Sequence, residues 1–113
     1  MTGVVGSGVS YYYDGDSAEQ EFTHIVGTVT ASGDTTIYTP TAGKRIRLRW
    51  IYAINDPGSA ASPLIKISLG LQEKYRVYAI SKRQMTTGVV DAPLIVNLSE
   101  AAEVAVTFLL EEI

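Results

Sequence analysis

Lys44-Arg45-Ile46-Arg47-Leu48-Arg49-Trp50-Ile51-Tyr52-Ala53-Ile54-Asn55 contains no glycine, no proline and no acid. It is rich in β-branched and aromatic residues, and it alternates with a period of two. Side chains two apart share one face of a strand. Ile46, Leu48, Trp50, Tyr52 and Ile54 are therefore expected to face a core, with Arg45, Arg47, Arg49, Ile51 and Ala53 on the other side. The three arginines then stand about 6.6–7 Å apart, close enough to repel unless they are paired or solvated. Asp56-Pro57-Gly58 closes the strand with turn chemistry.

Working outward, the same punctuation recurs. Phe22 to Thr30 reads as a strand and is followed by the turn residues Ala31-Ser32-Gly33-Asp34. Thr35 to Thr39 is a short strand stopped by Pro40 and the Thr41-Ala42-Gly43 corner. Leu64 to Leu69, Lys74 to Ile80, Leu94 to Leu98 and Val104 to Glu111 complete the set. On the last of these, Val104, Val106, Phe108 and Leu110 point one way, and Glu103, Ala105, Thr107, Leu109 and Glu111 the other. Ser99 to Glu103 has room for one helical turn, and no long helix is apparent. Seven strands result, eight if the N-terminal segment adds one. The fold class is all-β, an antiparallel β-sandwich.

Residues 1–18 are rich in Gly, Ser and Tyr and read as an extended N-terminal arm, with residues 19–113 as a single sandwich domain. Tyr11-Tyr12-Tyr13 is unusual in such an arm. Tyrosine supplies large contact area at low entropic cost, which makes the run a candidate partner-binding element as well as a cover for the domain's own flank. The start of the chain has neither a basic n-region nor an apolar h-region, and no apolar run reaches the roughly 18–20 residues that span a bilayer. No membrane partner is expected.

Across its 113 residues the chain carries a formal charge of −3, and the charges are segregated. All nine bases lie between Lys44 and Arg83, whereas the flanking segments hold ten of the twelve acids and no base. A basic middle between acidic ends favours pairing within the fold or between subunits. Arg45, Arg47 and Arg49 are the candidate partner-binding cations, with acids of the last strand as the counterpart. Lys66, Lys74, Arg76, Lys82 and Arg83 add to the basic segment, but a nucleic-acid partner is disfavoured by the net negative charge.

Chemistry is sparse. The absence of cysteine excludes a disulfide scaffold, a thiolate zinc site and a Cys nucleophile. His24 is the one imidazole, and it shares a strand face with Phe22, Val26 and Thr28, as a buried or rim histidine does. There is no Gly-x-Ser-x-Gly elbow, and the glycines from Gly3 to Gly8 lack the strand and helix a phosphate loop requires. Asp14, Asp16, Glu19 and Glu21 resemble a calcium loop only loosely, because Glu19 stands where the turn glycine belongs. No catalytic, cofactor-binding or metal-binding residue is assigned, no cofactor is expected, and the chain reads as a non-enzyme. Trp50, Tyr52, Tyr75 and Tyr78 are the residues from which a carbohydrate-stacking platform could be built, although Trp50 is expected in the core.

The stretch Thr35-Thr-Ile-Tyr-Thr-Pro-Thr-Ala-Gly-Lys-Arg-Ile-Arg-Leu48 resembles small β-sandwich virion proteins of tailed bacteriophages. The downstream pattern, with Ile65 to Gly70, Tyr75 to Ile80, Asp91-Ala92-Pro93-Leu94 and a terminal Glu-Glu-Ile, is similar to theirs. The resemblance implies a jelly-roll-like fold and a capsid decoration or cement subunit, or a neck, fibre or baseplate module. It implies localisation to the virion after synthesis in the host cytoplasm. It also implies a homo-oligomer that binds other virion proteins such as the major capsid protein. The alternative is a carbohydrate- or host-surface-binding module on the same fold.

Overall fold

A computed structural model describes the backbone of residues 3–13, 19–58 and 60–113, and the side chains of residues 22–58, 60–83 and 85–113. Nine strands appear among them: β1 (Gly3–Tyr13), β2 (Glu19–Val29), β3 (Gly33–Tyr38), β4 (Ile46–Asn55), β5 (Ile65–Leu69), β6 (Gln72–Val77), β7 (Ala79–Thr87), β8 (Leu94–Leu98) and β9 (Val104–Glu112). There is no helix among the described residues. They form two antiparallel sheets, one of five strands in the order β1-β2-β9-β4-β7 and one of four in the order β3-β8-β5-β6.

The pairing is nested. β5 pairs with β6, β4 with β7, β3 with β8 and β2 with β9. Eight strands thus behave as one long antiparallel ribbon, wound so that its rungs alternate between the two sheets. Two further ladders, β4–β9 and β5–β8, join the turns of the winding. The inward rows of both sheets meet in one core, with Ile25, Ile46, Leu48, Ile51, Val104, Val106, Phe108 and Leu110 from the first sheet. Ile65, Ile67, Leu69, Leu94, Val96 and Leu98 come from the second. At roughly 1.5–3 kcal/mol for each large apolar side chain taken out of water, this core is the main favourable term for the fold.

Three expectations are corrected. Lys74 to Ile80 is not one strand: β6 ends at Val77, Tyr78 stands exposed between, and β7 begins at Ala79 in the other sheet. A strand that changes sheets has a local β pattern on both sides of the crossing, so alternation alone does not reveal the break. Ser99 to Glu103 forms no helical turn; Ser99 N–H bonds the Leu64 carbonyl and Ala102 N–H the Thr30 carbonyl, which uses these groups in the loop instead. Among the described residues the strand count is nine because of the split at Tyr78 and because residues 3–13 run as β1, laddered antiparallel on β2.

A further correction concerns phase. Leu48 faces Leu110 and Trp50 faces Leu109, so Arg49 is an extra residue, a β-bulge, and the ladder to β7 shifts at the same point. Past the bulge the buried residues are Ile51 and Ala53, and Trp50, Tyr52 and Ile54 lie on the outer face. A bulge adds one residue to a period-two pattern and turns everything beyond it over.

One end of the molecule is sewn together by backbone bonds. Arg45 and Ile113 exchange both of theirs at 2.9 Å, Gly88 N–H reaches the Ile46 carbonyl at 3.0 Å, and Gly70 N–H the Pro93 carbonyl at 2.8 Å. Gly70 has φ +62°, and a Cβ there would stand 2.9 Å from that of Ala92, so only glycine fits this turn.

Candidate interaction face

The outer face of the five-stranded sheet is built by alternation on each strand. β2 contributes His24, Val26 and Thr28, while Ile25, Gly27 and Val29 turn inward. β9 contributes Ala105, Thr107, Leu109 and Glu111. β4 contributes Arg47, then Trp50, Tyr52 and Ile54 after the bulge.

Register sets these residues in rows. His24, Leu109, Trp50 and Arg83 form one; Val26, Thr107, Tyr52 and Ser81 the next; Thr28, Ala105, Ile54 and Ala79 the third. Val26 is 47% exposed, and Trp50, Tyr52, Ile54 and Leu109 are partly exposed.

At one end of this face the arginines gather on one acid. Arg49 Nη1 donates to Glu111 Oε2 at 2.7 Å, and Arg47 Nη1 lies 3.7 Å from Oε1 of the same carboxylate. The Arg49 guanidinium also lies over the ring of the buried Phe22, 5.2 Å from its centroid, a cation–π contact. This is how two cations predicted to repel coexist on one strand. Arg45 is set apart, exposed in the segment before β4. Glu103, the other expected counter-charge, is at the far end of β9, where its carbonyl accepts from Asp56 N–H at 2.8 Å.

At that far end lies a cleft of about 280 Å³ lined by Thr28, Tyr52, Ile54, Asn55, Asp56, Pro57, Glu103 and Ala105. Asp56 Oδ1 accepts from Gly58 N–H at 2.9 Å, and Asn55 Nδ2 donates to the Ala61 carbonyl at 2.6 Å. The face therefore runs from cationic through aromatic to anionic.

A second polar cluster ties the C-terminal strand to the other sheet. Tyr38 Oη donates to Glu112 Oε2 at 2.5 Å, and Thr41 N–H to Glu112 Oε1 at 2.7 Å. The Tyr38 hydroxyl holds the Glu112 carboxyl below the usual range, partial burial opposes this, and the Thr41 bonds and Lys44 add to the lowering. Burial, and then the Glu112 carboxylate, raises the Tyr38 phenol.

The remaining sequence candidates separate. Tyr11, Tyr12 and Tyr13 pair by backbone with Glu21, Gln20 and Glu19; their side chains lie outside the described residues, as do Asp14, Asp16 and the side chains of Glu19 and Glu21. Trp50 and Tyr52 share the outer face, but Tyr75 packs against the core from the other sheet and Tyr78 stands exposed in the chain between β6 and β7, so no four-residue platform forms. Lys66 and Arg76 face each other on the four-stranded sheet, and Arg76 is bound to Glu73 at 3.1 Å. Among the described residues no three His, Cys, Asp or Glu side chains converge as metal ligands, and no helix is long and apolar enough to cross a membrane. The anionic cleft was missed in the sequence because Asp56 and Glu103 are far apart in the chain and meet only through the β4–β9 ladder.

No protein-family model matches the chain, and no curated protein matches its sequence.

Proposed function

We propose that the chain is a non-enzymatic structural subunit of a bacteriophage particle, a capsid decoration or cement protein or a related particle module. It acts by self-association and by binding another virion protein such as the major capsid protein. The observation that carries the reading is the nested pairing of β2 with β9, β3 with β8, β4 with β7 and β5 with β6. That winding supports a jelly-roll reading of the sandwich, an architecture used by viral capsid and lectin domains. Because a fold hosts many functions, the second support is the surface: a broad sheet face with Trp50, Tyr52 and Val26 outward favours protein contact. The resemblance of residues 35–48 to phage virion proteins points the same way. Mass spectrometry of purified particles, together with the genes flanking this one, tests the proposal. The protein is expected in particles at a fixed ratio to the capsid protein, beside capsid, portal or tail genes. Its absence from particles overturns the proposal.

A second reading, a carbohydrate- or host-surface-binding module, is favoured by one observation. The bulge sets Trp50 outward beside Tyr52, whose ring lines a cleft with Asn55, Asp56 and Glu103. Apolar ring faces with amide and carboxylate neighbours suit a sugar. Saturable quenching of Trp50 fluorescence by a glycan would favour it.

A further inference from the structure

We propose that the outer face of the five-stranded sheet binds a second copy of this chain, with the strands of the two faces running antiparallel across a two-fold axis. The inference deepens the subunit reading above and rests on its self-association.

The bulge at Arg49 is the first argument. Without it Trp50, Tyr52 and Ile54 would continue the buried row of Ile46 and Leu48; with it they stand on the outside with Leu109 and Val26. Bulges often re-aim side chains towards sites of contact or chemistry, and partly exposed aromatics on a sheet are best used at an interface.

Charge then chooses the partner and its direction. One end of the face carries Arg47 and Arg49 against Glu111, with the exposed Arg83 one row in. The other end carries Asp56 and Glu103, which have no ion pair among the described residues. A face with opposite charges at its two ends complements a reversed copy of itself. Rotation about an in-plane axis along the Val26, Thr107, Tyr52 and Ser81 row places the arginine end over the partner's acidic end. Rotation about an axis parallel to the strands stacks arginine on arginine, which costs free energy. A closed two-fold contact uses the same patch on both copies.

Shape agrees. In the antiparallel arrangement the Trp50 row lies over the partner's Ile54 row, where Ala105 and Thr28 leave the cleft of about 280 Å³ open beside Tyr52. The partly exposed Trp50 of each copy thus comes over Ile54 at the wall of that cleft on the other, and Leu109 over Ala105. Five strands about 4.8 Å apart and roughly 30 Å long present about 700 Å² in projection, close to the roughly 800 Å² per partner of a stable interface.

The chain has no cysteine, so one engineered thiol reports on geometry. Thr107 sits on the proposed axis, and facing sheets pack about 10 Å apart, so the Thr107→Cys variant should be joined to its copy by a bismaleimide of about that span. The Leu71→Cys variant, at the β5–β6 turn, should not. Light scattering at about 100 µM, where weak interfaces still register, is expected to give a dimer mass. Asp56→Asn with Glu103→Lys should raise the dissociation constant at least tenfold with an unchanged circular dichroism spectrum. The Asp56→Asn change removes the charge and keeps a side-chain oxygen to accept from Gly58 N–H. A monomer, or an oligomer that ignores the charge change and fails to cross-link at position 107, overturns this face as the contact. Particle composition, measured separately, decides the subunit reading itself.

Discussion

Glu112 and Glu111 are adjacent in sequence and do different work. Glu112 is held ionised by the Tyr38 hydroxyl and the Thr41 amide, so its folded carboxyl titrates below its unfolded value. A depressed acid adds stability above its unfolded value near 4.3, and that stability is lost as pH falls through the lower folded one. The Tyr38 phenol is raised, so its contribution is present below about 10 and is lost as pH climbs through the folded value. Glu112→Gln is therefore expected to flatten the acid limb of a melting-temperature profile between about pH 5 and 3, and Tyr38→Phe to cost about 1 kcal/mol at neutral pH. Urea titrations across pH measure both. Glu111 instead neutralises Arg47 and Arg49. Arg47→Glu should destabilise by about 1 kcal/mol, since it sets two carboxylates side by side on a partly exposed face. Glu111→Lys in the same chain should recover part of the loss, and only part, because Arg49 then faces a cation. Measured at dilutions that keep the chain monomeric, Glu103→Lys should recover none, as Glu103 stands just before the opposite end of β9. Sequence alternation shows that arginines and acids face the same way on β4 and β9; the ladder decides which acid is within reach.

Among the elements, the β1–β2 hairpin and the bulged β4 depart most from local expectation. β2 pairs with β9 only from Thr23 to Val29, and its Glu19–Phe22 end is laddered to β1 alone, opposite Ser10 to Tyr13. Among the residues whose side chains are described, the core cluster draws on β2, β4, β5, β8 and β9. A chain lacking residues 1–18 is accordingly expected to keep a sheet spectrum and a cooperative melt, lowered by a few degrees, and to assemble or attach more weakly. Removing β1 uncovers the edge of β2, and an unpaired edge invites non-specific pairing, so aggregation on storage should rise. Loss of cooperative unfolding would make β1 part of the folding core, and unchanged assembly would leave it without a role there. β4 teaches the complementary lesson. Its limits are legible because Gly43 and Asp56-Pro57-Gly58 are strong stops, whereas its bulge is not, because Arg49 has no turn chemistry to mark it. The candidate face was hidden by that single inserted residue.

At the scale of the whole molecule, nested pairing brings together residues far apart in the chain, Thr23 with Leu110 and Gly33 with Leu98 among them. Loop closure must be met before such contacts return any stability, so refolding is expected in milliseconds to seconds, slower than for a helical domain of this size. Stopped-flow fluorescence of Trp50 checks this, and a microsecond relaxation would contradict the nested order. By itself the sequence determined the all-β class and most strand spans, because period-two alternation and the stops at Pro40, Gly43, Pro57, Gly70 and Pro93 act over a few residues. It also determined the buried row of β9, where no bulge intervenes and Val104, Val106, Phe108 and Leu110 all point into the core. Only the tertiary structure decided the partner of each strand, the switch of sheets at Tyr78, the outward turn of Trp50 and the gathering of Arg47 and Arg49 on Glu111. Each of these is set by ladder register between segments tens of residues apart. Register minimises exposed apolar area and unpaired charge over the whole sandwich at once, and no local window of sequence contains that sum.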